Sequence, residues 1–384
     1  MRVFIIAGEP SGDRLGGALM AGLKSLLPQV QFDGVGGVQM QRQGLVSRFD
    51  MDELSVMGIA EVAPKYFHFK RRIAEMAQAV LAVQPDVLIT IDSPDFCLRV
   101  AKLVKASRDI RTVHYVAPTV WAWRPGRAAR MAKVIDHVLA LFPFEPPFME
   151  AAGMDCDFVG HPVVAEPQAT AAEVADFRVQ AGLGEAPFVL VLPGSRRGEV
   201  GRLAPVFGEA LRLFLAQHKK MRVVVPAAGP VAGLVREQVA GWPGEPVLID
   251  PAQYDMATGQ AYKRAAFAGA TVALAASGTV SLELAAAGTP MVIAYDFNWL
   301  SRQIIPRLMQ TDTVTLVNLV SETRVVPECL MENCRPDLIS QSLGQVLAAP
   351  EAQAEAMVLT MQRLGLGGEA PGVRAARAVL AGLR

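Results

Sequence analysis

Short apolar runs recur along this chain, each followed by glycine, proline or a small hydroxyl residue and then by a stretch of helical periodicity. A run of that length is the pattern of a strand buried on both faces, and its alternation with helices is that of a parallel α/β sheet. Residues 2–7 open the series and run into Gly8-Glu9-Pro10-Ser11-Gly12-Asp13, with a helix expected from about Arg14 to Leu27, where Pro28 stops it. Strands are predicted at 32–35, 86–91 and 112–116, and 134–141 and 157–159 read as the last strands of this half. Gly160-His161-Pro162 closes it, and 167–185, rich in alanine and charge, leads into a second unit.

The second unit repeats the logic. A strand at 188–192 precedes a helix through about Gln217, strands follow at 222–226 and 246–249, and a helix is expected at 262–268. Residues 271–293 then read as strand, tight turn, helix and strand: Ser277-Gly278-Thr279 carries turn and N-cap residue types, and Gly288-Thr289-Pro290 ends the helix. An amphipathic, basic helix is expected around 299–309, and Asn318 is a polar group just after an apolar run. The tail from 337 to 384 reads as helical with a glycine-rich break at 365–372, so that a last helix near Val373 can fold back onto the first half.

Size supports two domains, since 384 residues exceed the usual single-domain length and each half is long enough to bury a core. Charge points to no global partner: Lys+Arg and Asp+Glu balance at 37 each, so any attraction to an anionic surface must be local, and nucleic acid is not expected. Four scattered cysteines suit neither a disulfide framework nor a zinc cluster and fit a reducing cytoplasm. The apolar run before Glu9 is too short for a signal peptide and reads as a first strand. Residues 265–282 are uncharged, but Gly269, Ser277 and Gly278 interrupt them, and they read as buried strand plus helix rather than a membrane span.

Chemistry-bearing residues collect where strands end. Asp92 follows the strand 86–91 and precedes Pro94, a position in which a carboxylate can be held in a cleft as a general base; Asp95 competes for that role but suits a helix N-cap. Trp121, Trp123 and Arg124 follow the strand 112–116 and can wall a sugar or an acyl chain. In Pro193-Gly194-Ser195-Arg196-Arg197, Gly194 and Ser195 permit close backbone approach to a phosphate and an arginine can neutralise it. Glu283, the only charge in 271–293, lies one helical turn beyond Thr279, where it can accept the two hydroxyls of a ribose; on so apolar a helix it needs a partner. Asp50-Met51-Asp52 and Asp155-Cys156-Asp157 imitate a metal-holding DxD, but the first lacks its strand-end context and the second has only a short hairpin-like one, and no metal or cofactor is expected. Residues 64–72 interleave Tyr66, Phe67 and Phe69 with Lys65, Lys70, Arg71 and Arg72, a mixture suited to an anionic bilayer surface, or else to aromatics in the core beneath a solvated basic face.

Ala7-Gly8-Glu9-Pro10-Ser11-Gly12-Asp13, Val56-Met57-Gly58-Ile59, Ile91-Asp92-Ser93-Pro94-Asp95-Phe96, His114-Tyr115-Val116, Val120-Trp121-Ala122-Trp123-Arg124, Leu192-Pro193-Gly194-Ser195-Arg196, Ala276-Ser277-Gly278-Thr279 and Asn318-Leu319, taken in order and spacing, closely resemble the lipid-A-disaccharide synthase family over nearly the whole chain. The resemblance implies an α/β protein of two Rossmann-like domains facing a cleft, the GT-B glycosyltransferase type: residues 1–165 with the C-terminal helix at about 366–384 on the acceptor side, and 166–365 binding the UDP-sugar. It implies inverting transfer of 2,3-diacylglucosamine from UDP to 2,3-diacylglucosamine 1-phosphate (lipid X), with Asp92 as base. UDP would be held by Gly194, Ser195, Arg196, Ser277, Gly278, Thr279, Glu283 and Asn318. Glu9 and Ser11 match cleft residues on the sugar or acceptor side, where Trp123 and Arg124 join them, and Pro10 departs from the small residue expected in that loop. Acylated substrates imply that Met57, Tyr66, Phe67, Phe69, Lys70, Arg71 and Arg72 touch the cytoplasmic face of the inner membrane, and a crossing tail allows a homodimer. The rival readings are a UDP-N-acetylglucosamine 2-epimerase, a UDP-sugar transferase with a soluble acceptor, and a nucleotide-binding peripheral membrane protein without catalysis. An epimerase would need further acids and a cleft histidine, for which only His114 and His161 qualify.

Overall fold

The computed structural model describes residues 1–54, 59–124, 126–297, 302 and 309–383, with backbone alone at 59–66. It divides into two compact units, Met1–Ala165 with Leu364–Arg384, and Glu166–Arg363.

The first unit is built on a parallel sheet of β1 (Arg2–Ala7), β2 (Gln31–Val35), β3 (Val87–Ile91), β4 (Arg111–Tyr115), β5 (His137–Ala140) and β6 (Asp155–Phe158), in the order β2-β1-β3-β4-β5-β6. β1 and β3 are the buried centre, apolar at almost every position because helices cover both faces. The chain reverses its direction of travel across the sheet between β1 and β3, the place where open α/β sheets leave a crevice at their carboxyl ends. Ala7 pairs with Ile91 and Ile91 with Tyr115, so the loops after β1, β3 and β4 leave one edge side by side.

The first helix spans Pro10–Leu26, four residues longer at its start than its pattern suggests. Pro10 sits in the first turn, where its missing N–H costs nothing and its fixed φ suits the helix, so the departure at this position is accommodated by the fold. Asp13, read as part of a loop, is buried inside this helix. Its carboxylate accepts the backbone N–H groups of Gly37, Gln39 and Met40 at 2.8, 2.8 and 3.0 Å, tying the start of the first helix to the helix after β2. The C-terminal helix Pro371–Ala381 packs on the first helix. A Cβ on Gly22 would lie 2.4 Å from the Gly372 carbonyl, and one on Gly372 would lie 2.4 Å from the Ala18 carbonyl, so both glycines are required by the crossing.

The second unit carries β7 (Phe188–Leu192), β8 (Arg222–Pro226), β9 (Val247–Ile249), β10 (Val272–Ala275), β11 (Met291–Tyr295) and β12 (Glu328–Leu330), all parallel, in the order β12-β11-β10-β7-β8-β9. Its reversal falls between β7 and β10. β12 has no clear signal in the sequence, being three residues long and an edge strand. Among the described residues no helix is long and apolar enough to cross a membrane.

Candidate functional site

Backbone strain marks the carboxyl edge of the first sheet. Asp92, Ser93, Val116 and Arg124 adopt φ of 51°, 43°, 85° and 53°. A left-handed conformation costs a non-glycine residue roughly 1–2 kcal/mol, and more for a β-branched one, and such strain gathers where geometry serves a site. Asp92 is half-buried, and its N–H donates to the Tyr115 carbonyl at 3.1 Å, which fastens the turn after β3 to the end of β4. A Cβ on Gly8 would lie 2.6 Å from Ser93 Oγ, so the loop carrying Glu9 abuts the Asp92 turn. Glu9 is the N-cap residue of the first helix and Ser11 is exposed in its first turn. Arg124 lies over the Trp123 ring at 4.3 Å, and Trp123 Nε1 donates to Thr119 Oγ1 at 3.2 Å. Asp95 is exposed in the first turn of the helix Pro94–Ser107, whose N-cap position falls to Ser93.

The edge also holds a carboxyl that sequence reasoning missed. Glu145 is buried; it accepts the N–H groups of Leu141 and Phe142 at 3.1 and 3.0 Å and Trp121 Nε1 at 3.3 Å. Burial pushes its carboxyl up to about 7 against the pull of those donors. It thereby ties the loop after β4 to the loop after β5, and only its place just after an apolar run could have flagged it.

His114 and His161 are both buried, and burial holds each down at about 4, in the neutral form. His114 Nδ1 is 2.8 Å from Thr90 Oγ1 inside the sheet, and His161 Nδ1 accepts the Val163 N–H at 3.2 Å. Both are packing residues. Asp50 caps a short 3-10 turn, Asp155 pairs with Arg111 at 2.6 Å, and Asp157 lies 2.9 Å from His137 Nε2.

In the second unit the sequence-predicted residues converge. A cavity of about 860 Å³ opens at the carboxyl ends of β7, β8, β9 and β10 and is lined by Gly194, Ser195, Arg196, Ser277, Gly278, Thr279 and Glu283. Gly194 takes φ 117°, a conformation that favours glycine, and turns the chain from β7 into the helix Arg197–Gln217. Glu199 of that helix also lines the cavity: its carboxylate accepts the backbone N–H groups of Ser195 and Arg196 at 3.1 and 3.2 Å and the Arg196 guanidinium at 3.1 Å. Thr279 occupies the N-cap position of the seven-residue helix Val280–Ala286 without capping it through its side chain. Glu283 has the partner its setting demands. Lys263, from the helix Met256–Gly269, bonds its carboxylate inside the cavity and lies over Phe267 at 5.2 Å.

Other predicted residues stand apart. Asn318 does not line this cavity: it is buried, its Nδ2 donates to the Val326 carbonyl at 3.0 Å and to Thr313 Oγ1 at 3.3 Å, and its Oδ1 accepts the Val326 N–H at 3.0 Å. Among the basic-aromatic residues, Phe67 is exposed, as are Lys70 and Arg71. Phe69 packs edge-on against Phe96 at 5.4 Å. Arg72 pairs with Glu53 and Glu75, both at 2.8 Å, over the Phe49 ring. Met57, the side chain of Tyr66 and most of 299–309 lie outside the described residues.

A family model described as lipid-A-disaccharide synthetase matches residues 3–379. A lipid-A-disaccharide synthase of Ruegeria pomeroyi is 70% identical over 99% of this chain and 95% of its own length. The chain belongs to the lipid-A-disaccharide synthase family. It is accordingly a glycosyltransferase of lipid A biosynthesis. A second lipid-A-disaccharide synthase, from Rhodospirillum centenum, is 45% identical over 98% of the chain and 94% of its own. Solved structures share the fold: a UDP-GlcNAc 2-epimerase of Neisseria meningitidis bound to UDP-GlcNAc, at TM-score 0.60 and 12% identity over 100% of this chain and 99% of that one, and MurG of Acinetobacter baumannii, at TM-score 0.52 and 15% identity over 96% of each. These likenesses establish the GT-B architecture and leave the epimerase as a distant structural neighbour of a lipid-A-disaccharide synthase family member.

Proposed function

We propose that the enzyme transfers 2,3-diacylglucosamine from its UDP donor to the 6-hydroxyl of lipid X, with inversion, releasing UDP and the β-1,6-linked disaccharide 1-phosphate. The observation that carries this reading is the meeting of the Gly194–Arg196 turn, the Ser277–Thr279 turn and Glu283 in one cavity of a chain from this family. The reaction needs a base to take the acceptor proton and a positive environment for the departing diphosphate. In this reading Asp92 is the base. Arg196 and the hydroxyls of Ser195, Ser277 and Thr279 receive the diphosphate, so that no metal is required, and Glu283 accepts the ribose hydroxyls. Asn318 then acts at a distance, by bracing the segment it is buried in. Glu9, Ser11, Trp123 and Arg124 sit on the acceptor side. The enzyme would work as a peripheral protein on the cytoplasmic face of the inner membrane, touching it through the exposed part of the helix Ile59–Val83, and a homodimer is compatible with it. The test is UDP release from the diacyl donor with and without lipid X, in the presence and absence of EDTA. Acceptor-dependent, EDTA-resistant release is expected; UDP release that ignores the acceptor would overturn the reading.

A further inference from the structure

The carboxyl edge of the second sheet carries a second cavity. It holds about 230 Å³ and, among the described residues, is lined by Tyr295, Phe297, Met309, Val314, Leu330 and Met331, with Ser277 at one side. Two features join it to the larger cavity. Ser277 lines both. Tyr295, which lines the smaller one, donates its hydroxyl at 3.4 Å to Glu199 Oε1, and Glu199 lines the larger one. Moving along the sheet from β9 to β12, the edge therefore changes from a polar seat with arginine, lysine and hydroxyl groups to an apolar one.

The apolar seat is built by the fold. Tyr295 and Leu330 are register partners at the ends of β11 and β12. Phe297 packs edge-on against Tyr295 with centroids 5.0 Å apart. Met331 is held at φ 52°, and its carbonyl accepts Arg302 at 3.3 Å, which sets its place in the cavity wall. The geometry points to a subsite for one acyl chain of the donor sugar, adjoining the diphosphate seat at Ser277. This rests on the proposed donor site. A dry cavity of about 150 Å³ holds a benzene ring, so 230 Å³ suits a segment of alkyl chain rather than its full length. Such a subsite makes the donor's chain length a determinant of transfer.

The test measures kcat/KM for UDP donors with long and with short acyl chains, using one lipid X acceptor, in the wild type, Val314→Phe and Leu330→Ala. The long-to-short ratio within each protein is independent of the folded fraction. Filling the cavity with Val314→Phe is expected to lower the ratio by about tenfold or more, since one methylene in an apolar pocket is worth about 10–200-fold. Leu330→Ala, which enlarges it, is expected to raise the ratio, and inhibition by UDP stays as in the wild type. A ratio that stays within about twofold of wild type in either variant, or that moves the same way in both, overturns the subsite. Wild-type enzyme that releases no acceptor-dependent UDP would instead overturn the donor-site reading beneath it.

Discussion

The carboxylate of Glu199 holds the backbone N–H groups of Ser195 and Arg196 at 3.1 and 3.2 Å, groups that a phosphate at this helix start would itself seek. The same carboxylate and the ligand cannot both take them. Glu199→Ala is expected to lower the stability of the ligand-free enzyme by about 1–3 kcal/mol, the cost of unmaking partly buried, charge-assisted bonds. Saturating UDP should then raise the melting temperature of the variant by more than it raises that of the wild type, because the diphosphate supplies the missing acceptor. Equal shifts in the two proteins would mean that these amides never meet the nucleotide.

Asp92 is the position at which chemistry and backbone can be separated. It sits at φ 51°, which asparagine also tolerates, so Asp92→Asn removes the proposed base without disturbing the turn. Turnover is expected to fall by roughly 10²–10⁴, the usual share of a general base, with UDP affinity nearly unchanged. Normal turnover in this variant would remove Asp92 from the role.

The architecture was legible in the residues because strands buried on both faces write continuous apolar runs, and because the turns after β1, β3, β7 and β10 carry their chemistry at strand ends. Element starts were less legible. Pro10 reads as loop punctuation but serves as a first-turn residue, and Asp13 reads as a loop acid but is buried among three N–H donors. Side-chain pairing over long separations was invisible: nothing in spacing alone joins Lys263 to Glu283 or Trp121 to Glu145. Asn318 shows the converse, since a polar residue after an apolar run suggests a ligand contact whether its partners are a nucleotide or the protein's own Val326 and Thr313.

Glu145 should give the fold a dependence on pH. Its carboxyl is pushed up to about 7 by burial, whereas in the unfolded chain a glutamate titrates near its reference value of about 4.3. Between those values the folded protein binds more protons than the unfolded one, so this contribution is fully present below the window and is lost as pH rises through 7. Glu145→Gln carries no charge at any pH and removes the dependence. Urea denaturation at about pH 5 and pH 8 should show the wild type losing stability relative to the variant, at a rate of up to about 1.4 kcal/mol per pH unit across that window. Parallel behaviour of the two proteins would rule out a titrating Glu145.

On the helix Ile59–Val83 the basic and aromatic residues differ in exposure, and that difference predicts which of them matter to a membrane. Arg72 is engaged by Glu53 and Glu75 and covers Phe49, and Phe69 is packed on Phe96, so both belong to the fold. Phe67 is 82% exposed, with exposed Lys70 and Arg71 close by in sequence. A ring at headgroup depth and a cation worth about 1 kcal/mol against an anionic leaflet are what that surface can offer. Phe67→Ser and Lys70→Glu should each reduce binding to vesicles containing anionic phospholipid, Lys70→Glu on the order of tenfold or more at low salt, and the contribution of Lys70 should fade as salt shortens the Debye length. Arg72→Ala should instead lower the denaturation midpoint while the protein that remains folded binds vesicles as the wild type does. Were Arg72→Ala to weaken vesicle binding as much as Lys70→Glu, or were neither Phe67 nor Lys70 to matter, the proposed membrane contact through this helix would fall.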